Sequence, residues 1–491
     1  MGASTYSIDS FEIGDHVVFE RTFTPQDRDA FRALSGDCSR LHNDDAYAAS
    51  TPFGQVIVPL QLTLAPFSMI AGMVFPGEPA LCLTLEVRAA RAVYYGEELR
   101  YSARIEAINL SHQVLTLRIL VLRRTEVVLD AVMRVQSRLA QWSTPPSLPV
   151  RKAAGPAVAL VTGSSGQIGS AISLALAKQG WQLLLQDRGD ETKRRGLRDA
   201  LAHIGAQATF VAADLALPAG RSALAAAAVE CPDLGLILHT ASPGITAPMD
   251  ELVAVNFTAL AEVVDAALPA LLARQNGAIV LIGPADVEQA PRGWEAYAAA
   301  KGMASAFMNG LERAYAGYGV RGLHLLATAV ATPFSAAFRE TAPALLPQEV
   351  AEALLQFIAD REDPGNTMRV DLAGSTRGRY GFYTEARIGG AATQAAPTAP
   401  EAPPPIVGSE DRHSLAAPLV RKLFKLPANA DLSNAGLGMT PGWDSLKHIE
   451  LLLMLESALG IRFGSGEMEF VHRFSELDSL CQKKIAERGR R

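Results

Sequence analysis

The sequence predicts a multidomain chain of three architectures: an α+β sheet wrapped around a helix, an α/β doubly wound parallel sheet, and an all-α four-helix bundle. Three observations predict it. Two proline-rich stretches, Trp142–Pro156 and Ala391–Pro405, break the chain where neither helix nor central strand can continue. Between them, short apolar runs alternate with helical patterns, which indicates a parallel sheet. After the second break come an amphipathic helix, a loop rich in Gly and Asn, and a strongly apolar helix. The boundaries are then 1–142, a linker at 143–155, 156–390, a semi-rigid Ala/Pro spacer at 391–408, and 409–491. At 491 residues the chain is too long for one core, in keeping with this division.

A hydrophobic share of 49% and a charged share of 20% describe globular material. The net charge of -6 argues against the concentrated basic face that nucleic acid requires. No apolar run approaches the roughly 18 residues of a membrane span, so no membrane association is expected. The first residues carry neither a basic start nor an apolar stretch; no secretory signal is expected, and a cytoplasmic protein is. Cys38, Cys82, Cys231 and Cys481 lie far apart without metal-like spacing, so they read as reduced thiols and no metal site is expected.

In the first domain, Thr24-Pro25-Gln26-Asp27 reads as a helix start, with a capping hydroxyl, a proline at the first helical position and a carboxylate behind it. That helix should pass through Phe31 to Leu34 and stop at Gly36. Asp37 and His42 follow, then a second helix over 43–50, one apolar helix from Val58 to Met73, and strands at 81–87, 98–108, 114–123 and 126–135. Ser35-Gly36-Asp37, His42 and Phe53-Gly54 make residues 10–138 resemble the MaoC-like, R-specific enoyl hydratases of the hotdog fold. The resemblance implies that Asp37 and His42 together hold a water that adds across an enoyl thioester. In reverse they would remove the α proton and the β hydroxyl. A carboxylate and an imidazole can divide proton abstraction and donation over one small site. The Leu60 N–H, at the start of the apolar helix, would polarise the thioester carbonyl. Ser39-Arg40 stands where that family has Asn-Pro, and Pro59-Leu60 where it has His-Gly.

In the second domain, the apolar run Ala157–Val161 meets Thr162-Gly163-Ser164-Ser165-Gly166-Gln167-Ile168-Gly169, and a helix from Ser170 to Lys178 follows. Such glycines permit a tight turn and let a pyrophosphate approach a helix N-terminus. The next strand ends at Asp187, a carboxylate placed to accept ribose hydroxyls, which favours NAD. Arg188 beside it favours NADP, and the choice stays open. Strands at 208–211, 234–238, 278–282 and 322–327 continue the alternation. With Asp214, Asn256, and Tyr297 one helical turn from Lys301, residues 156–376 resemble the short-chain dehydrogenase/reductases, a Rossmann-type family. The resemblance implies NAD(P)H as cofactor, bound by Gly163, Gly166, Gly169, Asp187 and Asp214. It also implies Asn256, Tyr297 and Lys301 as catalytic groups, with Lys301 lowering the Tyr297 pKa so that the phenol serves as acid. The family's catalytic Ser is here Pro284, which offers no side-chain or backbone donor. Losing one such donor costs on the order of 10²–10³ in rate. Three outcomes stay open: a ketoreductase with a substitute donor, a nucleotide-binding scaffold that reduces poorly, and altered chemistry such as dehydrogenation.

In the third domain, Asp444 caps a helix that begins at Ser445, which leaves the Ser445 hydroxyl at a helix N-terminus. A phosphodiester there meets free N–H groups and the positive end of the helix dipole. Trp443-Asp444-Ser445-Leu446 resembles the prosthetic-group site of acyl carrier proteins, which implies 4'-phosphopantetheine on Ser445. A second triplet, Asp478-Ser479-Leu480, belongs to the last helix and carries no such role.

Together the resemblances imply β-carbon processing in fatty-acid or polyketide-type biosynthesis: ketoacyl reduction, then dehydration, on a carrier-bound thioester. A ketosynthase, an acyltransferase and a phosphopantetheinyl transferase would be separate partners, and a homodimer or larger assembly is expected. The alternative is a carrier with a catalytic dehydratase and a non-reducing nucleotide-binding or scaffold domain.

Overall fold

The computed structural model describes residues 6–153, 157–285, 292–332, 343–359 and 365–378. Beyond these it describes 414, 416–424, 426–427, 430, 432, 435–436, 440, 451, 454–455, 459 and 474–488. The chain forms two compact units, Met1–Ala391 and Ala392–Arg491.

The first unit holds two lobes, each built on its own sheet. In the first lobe, β1 (His16–Thr22) is followed by α1 (Pro25–Ser35), α2 (Arg40–Asn43), α3 (Asp45–Ala49), α4 (Leu60–Thr63) and α5 (Ala65–Met73). Strands β2 (Ala80–Ala89), β3 (Glu98–Asn109), β4 (Val114–Arg123) and β5 (Glu126–Ser137) complete it. They pair antiparallel in the order β1-β3-β4-β5-β2. Helix α1 starts and stops where the sequence indicates. Thr24 and Asp27 form a reciprocal capping box, and Gly36 ends the helix in the left-handed region at φ 72°. One expectation needs correction: the apolar helix from Val58 to Met73 is two helices that meet at Leu64. Pro66, in the first turn of α5, has no N–H to continue the α4 ladder. Phe67, Ile70 and Ala71 are buried from α5 against the sheet. There Tyr101 Oη donates to the Thr63 carbonyl at 2.8 Å and stands edge-on to Phe67, centroids 6.4 Å apart.

In the second lobe, strands and helices alternate: β6 (Val158–Thr162), α6 (Gln167–Lys178), β7 (Gln182–Asp187), α7 (Glu191–His203), β8 (Ala208–Ala212), α8 (Pro218–Val229) and β9 (Leu234–His239). Helix α9 (Met249–Val253), a π turn (Ala254–Thr258) and α10 (Ala259–Arg274) lead to β10 (Gly277–Pro284). Then come α11 (Glu295–Tyr315), β11 (Val320–Ala327), α12 (Pro347–Ala359), β12 (Thr367–Asp371) and β13 (Gly374–Gly378). The sheet order is β13-β12-β11-β10-β9-β6-β7-β8, parallel except for β13. The order reverses at β6, so the strands around it open their C-terminal ends onto a switch-point crevice. The stretch Met249–Arg274 is long and apolar enough by length and composition to cross a membrane, contrary to the sequence expectation. Here it is a wall of the core, burying Leu260, Val263, Val264, Ala267 and Leu271.

The lobes share a hydrophobic cluster: Leu120, Leu122 and Val127 of the first sheet pack with the buried residues of α8 and α10. Buried polar bonds fix the register of this contact. Ser102 Oγ donates to the Ala273 carbonyl at 2.5 Å. Gln275, left-handed at φ 49° just past α10, donates from Nε2 to Ser102 O at 3.1 Å and to Ser102 Oγ at 3.0 Å. It also reaches the Arg118 carbonyl at 3.3 Å.

In the second unit, α13 (Ala417–Leu423) and α14 (Phe474–Arg488) bury Val420, Leu432, Leu451, Leu455, Leu477 and Cys481 together. Ser479 lies within α14, its Oγ donating to the Ser475 carbonyl at 2.8 Å. Asp444 and Ser445 lie outside the described residues, as does much of the expected bundle.

Candidate active sites

The first lobe brings Asp37 and His42 together. Gly36 turns the chain out of α1, and the Asp37 Oδ1 accepts the Ser39 N–H at 2.9 Å. The Asp37 and Ser39 carbonyls are tied by Asn43 Nδ2 at 3.0 and 2.9 Å. The His42 ring is anchored at Nδ1, which donates to the Ile57 carbonyl at 3.0 Å. A carbonyl can only accept, so Nδ1 carries the proton and Nε2 keeps its lone pair. Nε2 stands 4.0 Å from Asp37 Oδ2. That gap is too long for a direct hydrogen bond and suits one shared water or hydroxyl. Both side chains remain partly open to solvent. Leu60, named for its N–H, is the first residue of α4 with Pro59 as its cap. The sequence gives no hint of Tyr95, whose buried Oη has no partner among the described residues. Burial pushes that phenol up to about 12, with Arg28, Asp27 and Asp37 as charged neighbours.

The second lobe holds the other set. Tyr297 and Lys301 lie on one face of α11, both buried, with Lys301 Nζ 5.9 Å from the Tyr297 ring centre. Lys301 Nζ donates to the Ile282 carbonyl at 3.3 Å. Burial pulls the ammonium down to about 8 and pushes the Tyr297 phenol above its usual range. Asn256 sits in the π turn, an irregularity that often marks functional sites. Its Nδ2 donates to Leu252 O at 2.9 Å, and its Oδ1 is buried without a partner among the described residues. His239 joins this group, although the sequence reading gives it no role. It closes β9 fully buried, contacts Thr162 Oγ1 through Nδ1 at 3.1 Å, and leaves Nε2 without a partner among the described residues. Burial, with Lys301 nearby, pulls its pKa down to about 3. Pro284 is the last residue of β10, opposite Ala327.

The glycine loop is built for close approach. A Cβ on Gly163, at φ 67°, would come within 2.8 Å of Ala241 Cα, and one on Gly169 within 2.3 Å of the Gly163 carbonyl. Gly166 caps α6, which starts at the open end of β6. This cradle fits a pyrophosphate. Asp214 is exposed just past β8, its Oδ1 accepting the Ala216 N–H at 3.0 Å. Asp187 departs from expectation: its carboxylate is not free for ribose. The side chain has no exposed surface, and Arg194 grips it with Nε at 2.9 Å and Nη2 at 2.6 Å. The Gly189 N–H adds a third bond at 2.6 Å. Arg188, the next residue, is exposed.

Known proteins match each lobe separately. The MaoC like domain matches residues 10–122, and the short chain dehydrogenase family matches residues 157–343. An (R)-specific enoyl-CoA hydratase of Aeromonas caviae is 31% identical over 111 residues, 23% of this chain and 83% of that protein. An uncharacterised oxidoreductase of Bacillus subtilis is 29% identical over 171 residues, 33% of this chain and 70% of that protein. A solved short-chain dehydrogenase from Sphingobium yanoikuyae, in complex with NADPH, is 26% identical and covers 44% of this chain and 88% of that one, with a TM-score of 0.40. The chain is thus an enzyme that belongs to the MaoC-like family and joins that domain to a short-chain dehydrogenase domain.

Proposed function

We propose that the chain reduces a 3-ketoacyl thioester in its second lobe and dehydrates the 3-hydroxyacyl product in its first, as part of fatty-acid or polyketide-type synthesis. The 4.0 Å Asp37–His42 pair, with the His42 tautomer fixed by Ile57, carries this reading. In dehydration the pair takes the proton from C2 and returns one to the leaving C3 hydroxyl, which departs as water. The reverse reaction adds water to the enoyl thioester from the same gap.

For reduction, Gly163, Gly166, Gly169 and Asp214 would hold a nicotinamide nucleotide, which when bound would supply the hydride chemistry. Tyr297 gives its phenolic proton to the ketone oxygen, and the Lys301 ammonium stabilises the phenolate left behind. Pro284 contributes no donor to that oxygen, so reduction is slow relative to dehydration. Asp187 is neutralised by Arg194 and therefore does not repel a 2'-phosphate; with Arg188 exposed beside it, NADPH is the expected nucleotide.

The acyl chain would ride on 4'-phosphopantetheine at Ser445, a reading that rests on the sequence around it, with a ketosynthase, an acyltransferase and a phosphopantetheinyl transferase as partners. A second copy would pair along β2, the sheet edge on which Leu81, Leu83 and Leu85 stand exposed.

The experiment loads a 3-ketoacyl pantetheine onto the carrier and follows intact mass with NADPH or NADH. Gain of two hydrogens and then loss of water supports the full sequence. Dehydration of a supplied 3-hydroxyacyl chain, with no reduction by either nucleotide, leaves the second lobe a scaffold. No modification of Ser445 by coenzyme A and a broad-range transferase removes the carrier, and the same reactions are then sought on coenzyme A thioesters.

A further inference from the structure

Between the two lobes of the first unit lies a cavity of about 180 Å³ that belongs to neither active site. Its walls include Gly14, His16 and Arg104 from the first lobe, Ala153 from the linker, and Arg274 and Asn276 from the second. His16 and Arg104 stand directly opposite each other on β1 and β3, and Arg274 is the last residue of α10.

The polar groups here are set for a ligand. His16 is 3% exposed, and its Nδ1 donates to the Gly14 carbonyl at 3.3 Å. Its Nε2 is buried without a partner among the described residues, and so is Arg274 Nε. Burial, with Arg274, Arg151 and Arg104 close by, pulls the imidazole down to about 4. The nearby carboxylates are engaged. Asp233 is bonded by Arg151 at 3.0 Å and lies 3.7 Å from Arg274 Nη1. Asp15 takes Lys152 Nζ at 2.8 Å and the Ala153 N–H at 2.9 Å. No carboxylate lines the cavity among the described residues. The two arginines bring positive charge to one small cavity, and a buried guanidinium calls for an acceptor at each N–H.

We propose that this seam cavity binds a phosphoryl group, as inorganic phosphate or a phosphate monoester, held by Arg274, Arg104 and His16. Guanidinium forks match tetrahedral oxyanions bidentately. The hydroxyl of hydrogen phosphate donates to His16 Nε2, whereas a monoester dianion binds with uptake of one proton by that nitrogen. The volume takes the oxyanion and not a nucleotide, so the rest of a larger ligand projects outward. Because both lobes supply ligands, occupancy ties them together.

Full-length protein is titrated with sodium phosphate, against sodium chloride at matched ionic strength, by calorimetry and thermal melting. Saturable binding and a rise in melting temperature in phosphate alone are expected. Arg274→Gln should weaken phosphate binding on the order of tenfold or more, with partial recovery in Arg274→Lys. If Arg274→Gln does not fold, phosphate protection of Arg274 against phenylglyoxal, mapped by mass spectrometry in the wild type, gives the same answer. Substituting pantetheine 4'-phosphate separates the sources: tighter binding names the monoester, weaker binding the free ion. Equal melting in phosphate and chloride with no protection of Arg274 overturns the site, as does an Arg274→Gln protein with unchanged affinity.

Discussion

Asp37 and His42 stand on an irregular connection with side chains still 28% and 20% exposed, whereas Tyr297, Lys301 and Asn256 lie at 5%, 3% and 0%. The first pair is organised by backbone: carbonyls and N–H groups of Ser39 and Ile57 set its spacing and tautomer. The second set is organised by burial, which moves Lys301 toward neutrality and leaves Asn256 Oδ1 and His239 Nε2 without partners among the described residues. On the proposed reading, the partly open site would work with two groups and a water. On the same reading, the buried site would depend on every group present, and Pro284 stands where the short-chain dehydrogenase resemblance implies a donor.

The largest expected effect breaks the first site alone. Asp37→Asn should lower hydration of a short enoyl thioester by about 10³-fold with ketoreduction unchanged, read by absorbance of the enoyl group. Next, Pro284→Ser should raise NADPH-dependent reduction by about 10²-fold, and Tyr297→Phe should abolish it in either background. A Pro284→Ser protein no faster than the parent would show that another donor already serves the ketone.

A third experiment reads burial itself. Lys301 is depressed from 10.5 to about 8, so between those values the unfolded chain binds one more proton than the folded one, and stability rises with pH across that window. Below about pH 8 the buried ammonium costs about 3 kcal/mol, a cost that Lys301→Met should remove along with the slope in denaturant titrations. The smallest effect concerns the seam: Gln275→Ala removes the Nε2 donor shared among Ser102 O, Ser102 Oγ and the Arg118 carbonyl and should cost about 1–3 kcal/mol in chemical unfolding.

What the sequence made legible was local. The Thr24–Asp27 box, the Gly36 stop and the spacing of Asp37 to His42 depend on neighbours within two turns, and all appear as read. The Asp187–Arg194 pair is not legible in the sequence because Arg194 approaches from the next helix, and a strand-end carboxylate looks the same free or paired. Pro66 is the local signal for the division of the long apolar helix, one that the continuous hydrophobic run masks. His239 carries no local signal, since only its burial near the Lys301 charge gives it significance. The joining of the two lobes was invisible for the same reason: Leu120, Leu122 and Val127 look like ordinary strand residues until α10 covers them.

That shared wall has a consequence for traffic. With α10 serving both cores, the lobes cannot hinge toward each other to hand over an intermediate without tearing open a hydrophobic cluster. On the proposed route, an intermediate leaving one pocket would travel around the outside of this joined block to enter the next. If a tether carries it, as proposed, the reach of that leash, rather than any bending of the enzyme, would decide which reaction comes second.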